Sequence, residues 1–387
     1  MVNLAPIPDE LGESIFSQMA ALATTTGAVN LGQGFPDGAG PSAMLAAANE
    51  AVDAGLNQYA PSIGLKPLRE QIAAQRADRY GTRYNPDTEI VVTAGATEAI
   101  TAAVMALCEP GDEVAMFEPY FDSYAAATKM AQATRRAIPL TATPAGFEFD
   151  PTVFADALND RTRVLIFNSP HNPTGKVFTV DEMREIARLC AERDVIIISD
   201  EVYEYLTYDD ARHVPMATLA PERTVSVSGI GKTFSATGWR VGWACAPEPI
   251  VAKIASVKQF LSFTVNTPFQ IGATTALRDC LNWVESLRIS LQSRRDVLTR
   301  ALRDAGINVY PTSGSYFLQT DARSFGEEDG MAFCLDIAHK AGVVAVPSVA
   351  FYDHVDTGRH LIRLAFCKDE ATVKEGAERL IKYHRSR

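Results

Sequence analysis

Val195-Ile196-Ile197-Ile198-Ser199-Asp200-Glu201-Val202-Tyr203 is a run of β-branched residues that ends in two acids. Four successive apolar residues leave no polar face, so a strand made from them must be covered on both sides, as in a parallel sheet flanked by helices. Similar short runs lie on either side of it, at residues 89–93, 113–117, 164–168 and 224–228. Amphipathic stretches separate them. At 97–107 and 181–193 the apolar residues recur at helical spacing, and in the second of these Met183, Ile186, Ala187, Leu189 and Cys190 share one face. The alternation predicts an α/β fold with a large, doubly wound, mostly parallel sheet.

Beyond this core, apolar positions keep a helical period over 269–305 and predict one long linking helix, stopped near Gly306. The rest of the chain reads as a small α+β domain, with strands at 315–318, 343–346 and 360–366 and a closing helix at 372–384. The expected division is an arm and part of the small domain over 1–45, a large domain over 46–285, and a small C-terminal domain over 286–387.

The bulk composition narrows the function classes. With 387 residues and 47% hydrophobic content, the chain can build a sizeable core, and its net charge of -11 disfavours nucleic acid and anionic membranes as partners. Six scattered cysteines show no CxxC pair and no metal-ligand spacing with the histidines, which fits reduced thiols in a cytoplasm and no bound metal. Residues 1–10 lack a cationic, apolar leader, and no stretch is long and apolar enough to span a bilayer.

In open parallel sheets, ligands bind beyond the carboxyl ends of the strands, so the residues that follow each strand are the place to look for chemistry. After the first strand, Thr93-Ala94-Gly95-Ala96-Thr97 opens a helix and forms either an anion seat or an ordinary turn. After the second, Glu118-Pro119-Tyr120-Phe121 offers aromatics to a flat ring, although such residues also serve as core. After the third, Asn168-Ser169-Pro170-His171-Asn172-Pro173-Thr174-Gly175-Lys176 holds the Asn172 amide between two prolines, while His171 reads as structural. A surface turn can use the same letters. The fourth strand ends in Asp200, a carboxylate that wants a cation such as a protonated pyridine nitrogen, or that caps a helix; Tyr203 follows one turn later.

The fifth strand leads into Ser226-Val-Ser-Gly-Ile-Gly-Lys232-Thr-Phe-Ser-Ala-Thr-Gly-Trp-Arg240. A lysine in such a loop is commonly just solvated. Here, however, small neighbours permit close approach, and Arg240 supplies a fixed positive charge for a phosphate while disfavouring a second charge on Lys232. Anion seat, stacking ring, acid and amine together describe a site for pyridoxal 5'-phosphate.

The stretches Ser169-Pro-His-Asn-Pro-Thr-Gly-Lys176, Ser199-Asp-Glu-Val-Tyr203 and Gly231-Lys-Thr-Phe-Ser-Ala-Thr-Gly-Trp-Arg240 resemble the class I/II pyridoxal-phosphate aminotransferases of fold type I. Asn30-Leu-Gly-Gln-Gly-Phe-Pro-Asp37, Asn57-Gln-Tyr59 and Cys367-Lys-Asp-Glu-Ala-Thr372 make the chain most similar to the kynurenine, glutamine and methionine branch. Some N-succinyldiaminopimelate aminotransferases share the N-terminal signature. The resemblance implies ping-pong transamination of a bulky or neutral L-amino acid with a 2-oxo acid. N-succinyl-LL-diaminopimelate transamination and cysteine-S-conjugate β-lysis are the alternatives. A pyridoxal-binding regulator is a reading from another class, and it would need a basic DNA-binding module for which the chain has no room ahead of Phe16.

Carried over by position, the resemblance makes Lys232 the lysine that bonds the cofactor aldehyde and Asp200 the partner of the ring nitrogen. Tyr203 and Asn172 hold the ring oxygen and Phe121 stacks on the ring. Ala96, Thr97 and Arg240 take the phosphate, and Tyr59 reaches the phosphate of a neighbouring subunit, which implies a homodimer. Arg363, Asn172 and the Gly34 backbone bind the substrate α-carboxylate, with Phe16 at the entrance. The family usually has serine where this chain has Gly229, and Ser228 is the neighbouring candidate to replace it.

Overall fold

A computed structural model describes Pro8 and residues 11–387, so the reading of residues 1–10 lies outside the described residues except at Pro8. The main sheet has seven strands: β1 (Ile90–Thr93), β2 (Glu113–Glu118), β3 (Thr134–Pro139), β4 (Thr162–Asn168), β5 (Ile196–Asp200), β6 (Thr224–Gly229) and β7 (Gly242–Cys245). Their spatial order is β1-β7-β6-β5-β4-β2-β3. All neighbours are parallel except β7, which runs antiparallel to both β1 and β6. Every residue of β1, β2, β6 and β7 is buried, as the two-sided apolar runs require.

Helices cover both faces. Gly95–Leu107 buries Ala99, Ile100, Ala102, Ala103 and Val104, leaving its N-terminus at the carboxyl end of β1. Val180–Glu192 starts with a reciprocal cap between Thr179 and Glu182 and buries the five apolar residues read from its periodicity. Register then sets the geometry of the ligand end: Asn168 of β4 pairs with Asp200 of β5, and Asp200 pairs with Val227 of β6.

The expected single helix over 269–305 is instead two, Thr267–Asp279 and Leu281–Asp304. Cys280, at φ -114° and ψ 16°, breaks the run. The first helix packs on Ser42–Asp53 and the second on Glu370–Arg385, so the chain turns between two partners while its apolar spacing continues.

Three further strands, Phe317–Asp321, Leu361–Ala365 and Val346–Pro347, form an antiparallel sheet with Leu361–Ala365 in the centre. The strand expected at 315–318 begins later because Ser315 sits at φ 61°, outside extended geometry. The run expected at 343–346 is divided, with Val343–Val344 pairing in parallel with Val29–Asn30 while Val346–Pro347 joins the three-stranded sheet. Arg363 is therefore held in a central strand, opposite Gln319 on one side and Val346 on the other. Among the described residues no helix is long and apolar enough to cross a membrane.

Candidate active site

The strand ends converge on a cavity of about 370 Å³, lined by Phe16, Gly34, Ala96, Thr97, Phe121, Asn172, Asp200, Tyr203, Lys232, Arg240 and Arg363 among others. Eleven residues singled out from sequence thus meet in one place, although they come from positions 16 to 363.

Lys232 stands on the short helix Ile230–Thr233 that follows β6. Its Nζ donates to the Gly34 carbonyl at 3.4 Å and lies 5.7 Å from the Tyr316 ring centre. Burial lowers the ammonium pKa to about 8, and Arg240 and Arg363 add repulsion. The amine is thereby moved toward its nucleophilic, neutral form.

Asp200 closes β5 and is buried. Burial pushes its carboxyl up to about 6, against the hydrogen bond from Tyr124 and the backbone of Val202, which stabilise the charge. The Tyr124 hydroxyl donates to Oδ2 at 2.6 Å, and Val202 N to Oδ1 at 3.3 Å. Among the described residues Asp200 has no lysine or arginine ion-pair partner, so this buried acid is suited to a cationic ring nitrogen.

At the start of Gly95–Leu107, Arg240 folds over the turn. Its Nη1 donates to Thr237 O at 3.1 Å and its Nη2 approaches Ala94 O at 3.5 Å. Gly95 has φ +80°, and a side chain there would collide with the guanidinium. Backbone donors and a fixed cation make an anion seat.

On the opposite wall, Arg363 is fully buried. Its Nη2 donates to Gly32 O at 2.8 Å and its Nη1 to Asn172 Oδ1 at 3.2 Å, while Nε has no partner. Burial lowers its pKa to about 10. Three aromatic rings collar it, with Cζ 3.9 Å from the Phe317 centroid, 4.9 Å from Phe16 and 5.6 Å from Phe351. A buried guanidinium with spare donors is suited to a carboxylate.

Residues 26–380 match the aminotransferase class I and II family. The chain belongs to this family. It is a pyridoxal-phosphate-dependent aminotransferase acting on amino-acid and 2-oxo-acid substrates. The solved structure of N-succinyldiaminopimelate aminotransferase from Mycobacterium tuberculosis is similar, with a TM-score of 0.95 and 45% identity over 98% of this chain and 100% of that one. The methionine aminotransferase of Escherichia coli K12 is 40% identical over 98% of this chain and 99% of its own length. Human kynurenine–oxoglutarate transaminase 1 is 34% identical over 95% and 94% respectively.

Within this aminotransferase, two residues singled out from sequence do not line the cavity. Ser228 does not replace the missing serine: its hydroxyl points away and donates to Glu204 Oε1, inside a buried group with Arg76 and Tyr80. Side chains alternate along a strand, so the one-residue offset sends it to the opposite face. Gly229 itself leaves no room, since a Cβ there would come within 2.9 Å of the Val241 carbonyl on the incoming segment of β7. Tyr59 is 79% exposed and meets the Phe263 ring edge-on at 5.4 Å. His171 is structural as expected, its Nδ1 2.8 Å from Thr174 Oγ1.

Sequence reading missed Tyr124, Asn168, Phe317 and Tyr316. Tyr124 lies in the first turn of Asp122–Met130, and its ring meets that of the N-cap residue Phe121 edge-on at 5.8 Å. Asn168 ends β4; its Nδ2 donates to Asp200 O at 2.9 Å and its Oδ1 accepts from Asn172 N at 2.7 Å, fixing both loops. A polar residue closing an apolar strand was the available signal.

Proposed function

We propose that this aminotransferase takes a bulky, uncharged L-amino acid, of the methionine, glutamine, kynurenine or aromatic type, as donor to a 2-oxo acid in a ping-pong reaction. The observation that carries this reading is the wall of the cavity. Beyond the amine, the anion seat and the Arg363 clasp, the chain lines it with Phe16, Phe35, Phe121 and Phe317 and, among the described residues, with no fourth cation. Such walls favour an apolar side chain over one bearing a second carboxylate.

In this reading Asp200 faces the ring nitrogen, Asn172 and Tyr203 the ring oxygen, Phe121 the ring face, and Ala96, Thr97 and Arg240 the phosphate. When bound, pyridoxal 5'-phosphate supplies an electrophilic aldehyde and an electron-accepting ring. Lys232 would hold the aldehyde, and its Nζ would carry the proton from the substrate Cα. Arg363, with Asn172 and the Gly34 backbone, orients the substrate by its α-carboxylate. Aromatic walls exclude water from the reacting carbon.

We also propose a cytoplasmic homodimer, with residues 46–285 as the large domain, 286–387 as the small one and 1–45 shared with the latter. The exposed rings of Tyr59, Phe260 at 86% and Phe263 at 51% support the dimer, since they are suited to burial against a second copy that receives Tyr59 at its phosphate seat. The six free cysteines fit a reducing compartment.

The 45% identity to N-succinyldiaminopimelate aminotransferase favours a second reading, in which the donor side chain is long and acidic and the partner subunit supplies its cation. A panel of methionine, glutamine, kynurenine, phenylalanine, aspartate and N-succinyl-LL-diaminopimelate, followed by single-turnover absorbance change, separates the two. The first four are expected to exceed the last two. A clear lead for N-succinyl-LL-diaminopimelate establishes the second reading, and a lead for aspartate overturns both.

A further inference from the structure

Glu118 ends β2, four residues before Asp122 opens the helix that follows Phe121, and it is completely buried. A buried carboxylate is costly unless donors surround it. Its donors come from the far end of the chain. Oε2 accepts from Asp353 N at 2.8 Å and His354 N at 3.3 Å, and Oε1 meets the His354 imidazole at Nδ1. Neighbouring groups extend this contact. Tyr120 N donates to Phe351 O at 3.0 Å, the Tyr120 hydroxyl to Asp353 Oδ1 at 2.6 Å, and Arg135 Nε to Asp353 Oδ2 at 2.8 Å. The loop at 351–354 is thus hung on the strand end that carries Phe121.

That loop presents Phe351 to the carboxylate pocket. The Phe351 ring stacks on Phe16 at 5.6 Å and 28°, and its centroid lies 5.6 Å from Arg363 Cζ. Arg363 makes hydrogen bonds to one carbonyl and one amide oxygen and has no ion pair among the described residues, so its aim depends on the rings that enclose it. We propose that Glu118 is a positioning residue, which holds the 351–354 loop and thereby sets the direction in which Arg363 faces the substrate carboxylate. This rests on the reading of Arg363 as the carboxylate clasp.

The test uses the cofactor-loaded full chain. Glu118→Ala raises KM for every amino donor and for the oxo acceptor about tenfold while kcat stays within about threefold, and Glu118→Gln restores most of the loss because its amide still accepts from the backbone. Hydrogen exchange over 351–358 is faster in Glu118→Ala than in the parent. Tyr120→Phe, which removes only the hydroxyl bound to Asp353, shifts KM the same way by about threefold and carries the test if Glu118→Ala does not fold. Arg363→Ala, run alongside, keeps the two readings apart. If it leaves KM unchanged, the clasp reading fails and this proposal falls with it. A raised KM in Arg363→Ala with an unmoved KM in both Glu118 variants and in Tyr120→Phe overturns the proposal alone.

Discussion

The Tyr124 hydroxyl donates to Asp200 Oδ2 at 2.6 Å, from a helix capped by Phe121. This bond stabilises the charged carboxylate at a site where burial favours the neutral acid. A neighbour from another strand end thus opposes the upward shift that burial imposes on Asp200.

Tyr124→Phe retains the ring, which meets Phe121 edge-on at 5.8 Å, and removes only the hydroxyl. Asp200 then protonates at higher pH than before. The acid limb of kcat/KM against pH moves upward, and turnover at pH 7 falls about tenfold. An unmoved acid limb would show that Tyr124 does not tune the acid.

Lys232 has a folded pKa of about 8 against 10.5 for the free group, lowered first by burial. Folding thus favours its neutral form, and the folded, cofactor-free protein is penalised wherever the unfolded chain holds the proton. The penalty is full below pH 8 and disappears as pH rises toward 10.5. Cofactor-free Lys232→Met is therefore expected to be more stable than the parent at pH 7, by up to about 3 kcal/mol, with a smaller difference at pH 9.5. Urea unfolding at the two pH values checks the sign.

Lys232→Ala in the loaded protein removes the amine that the proposed function makes both covalent anchor and proton carrier. Turnover is expected to fall by at least about a thousandfold, with phosphate contacts still retaining the cofactor. Equal activity in this variant would refute the assignment of the amine.

Arg363→Ala leaves Asn172 and Gly32 without their partner and removes the cation. KM is expected to rise about 100-fold for methionine and kynurenine alike, because the lost contact is to the shared α-carboxylate. A rise confined to one donor would place Arg363 at the side chain instead.

Gly229→Ser restores the residue usual in the family, yet its Cβ would press on the Val241 carbonyl at 2.9 Å. Lower thermal stability is expected, without tighter cofactor retention. Slower cofactor loss on dialysis at unchanged melting temperature would contradict this.

The buried strands were legible because their residues are apolar on both faces; β2 and β5 end within one residue of where the sequence placed them. β3 was not, since it is an edge strand whose Arg135, Arg136 and Pro139 disguise it. β7 escaped notice because its Gly242-Trp-Ala-Cys245 carries no β-branched residue, unlike the equally short Ile90-Val-Val-Thr93 of β1. The break at Cys280 has no glycine or proline to announce it. Most of the site was readable as motifs after strands, whereas Phe317 and Tyr316 were hidden because their role comes only from the small sheet packing against the cavity. The orientation of Ser228 was decided by strand alternation, which a motif comparison does not weigh.

The reversal of β7 has a consequence for how the two cations reach the crevice. A strand that continued parallel would have required a crossover back to the opposite rim of the sheet before it began. Because β7 descends from the same rim at which β6 arrives, a single hairpin-like link carries Lys232 on its ascending side and Arg240 on its descending side. Their spacing is then a property of one short tether, and lengthening it by even a few residues would detune amine and phosphate seat together.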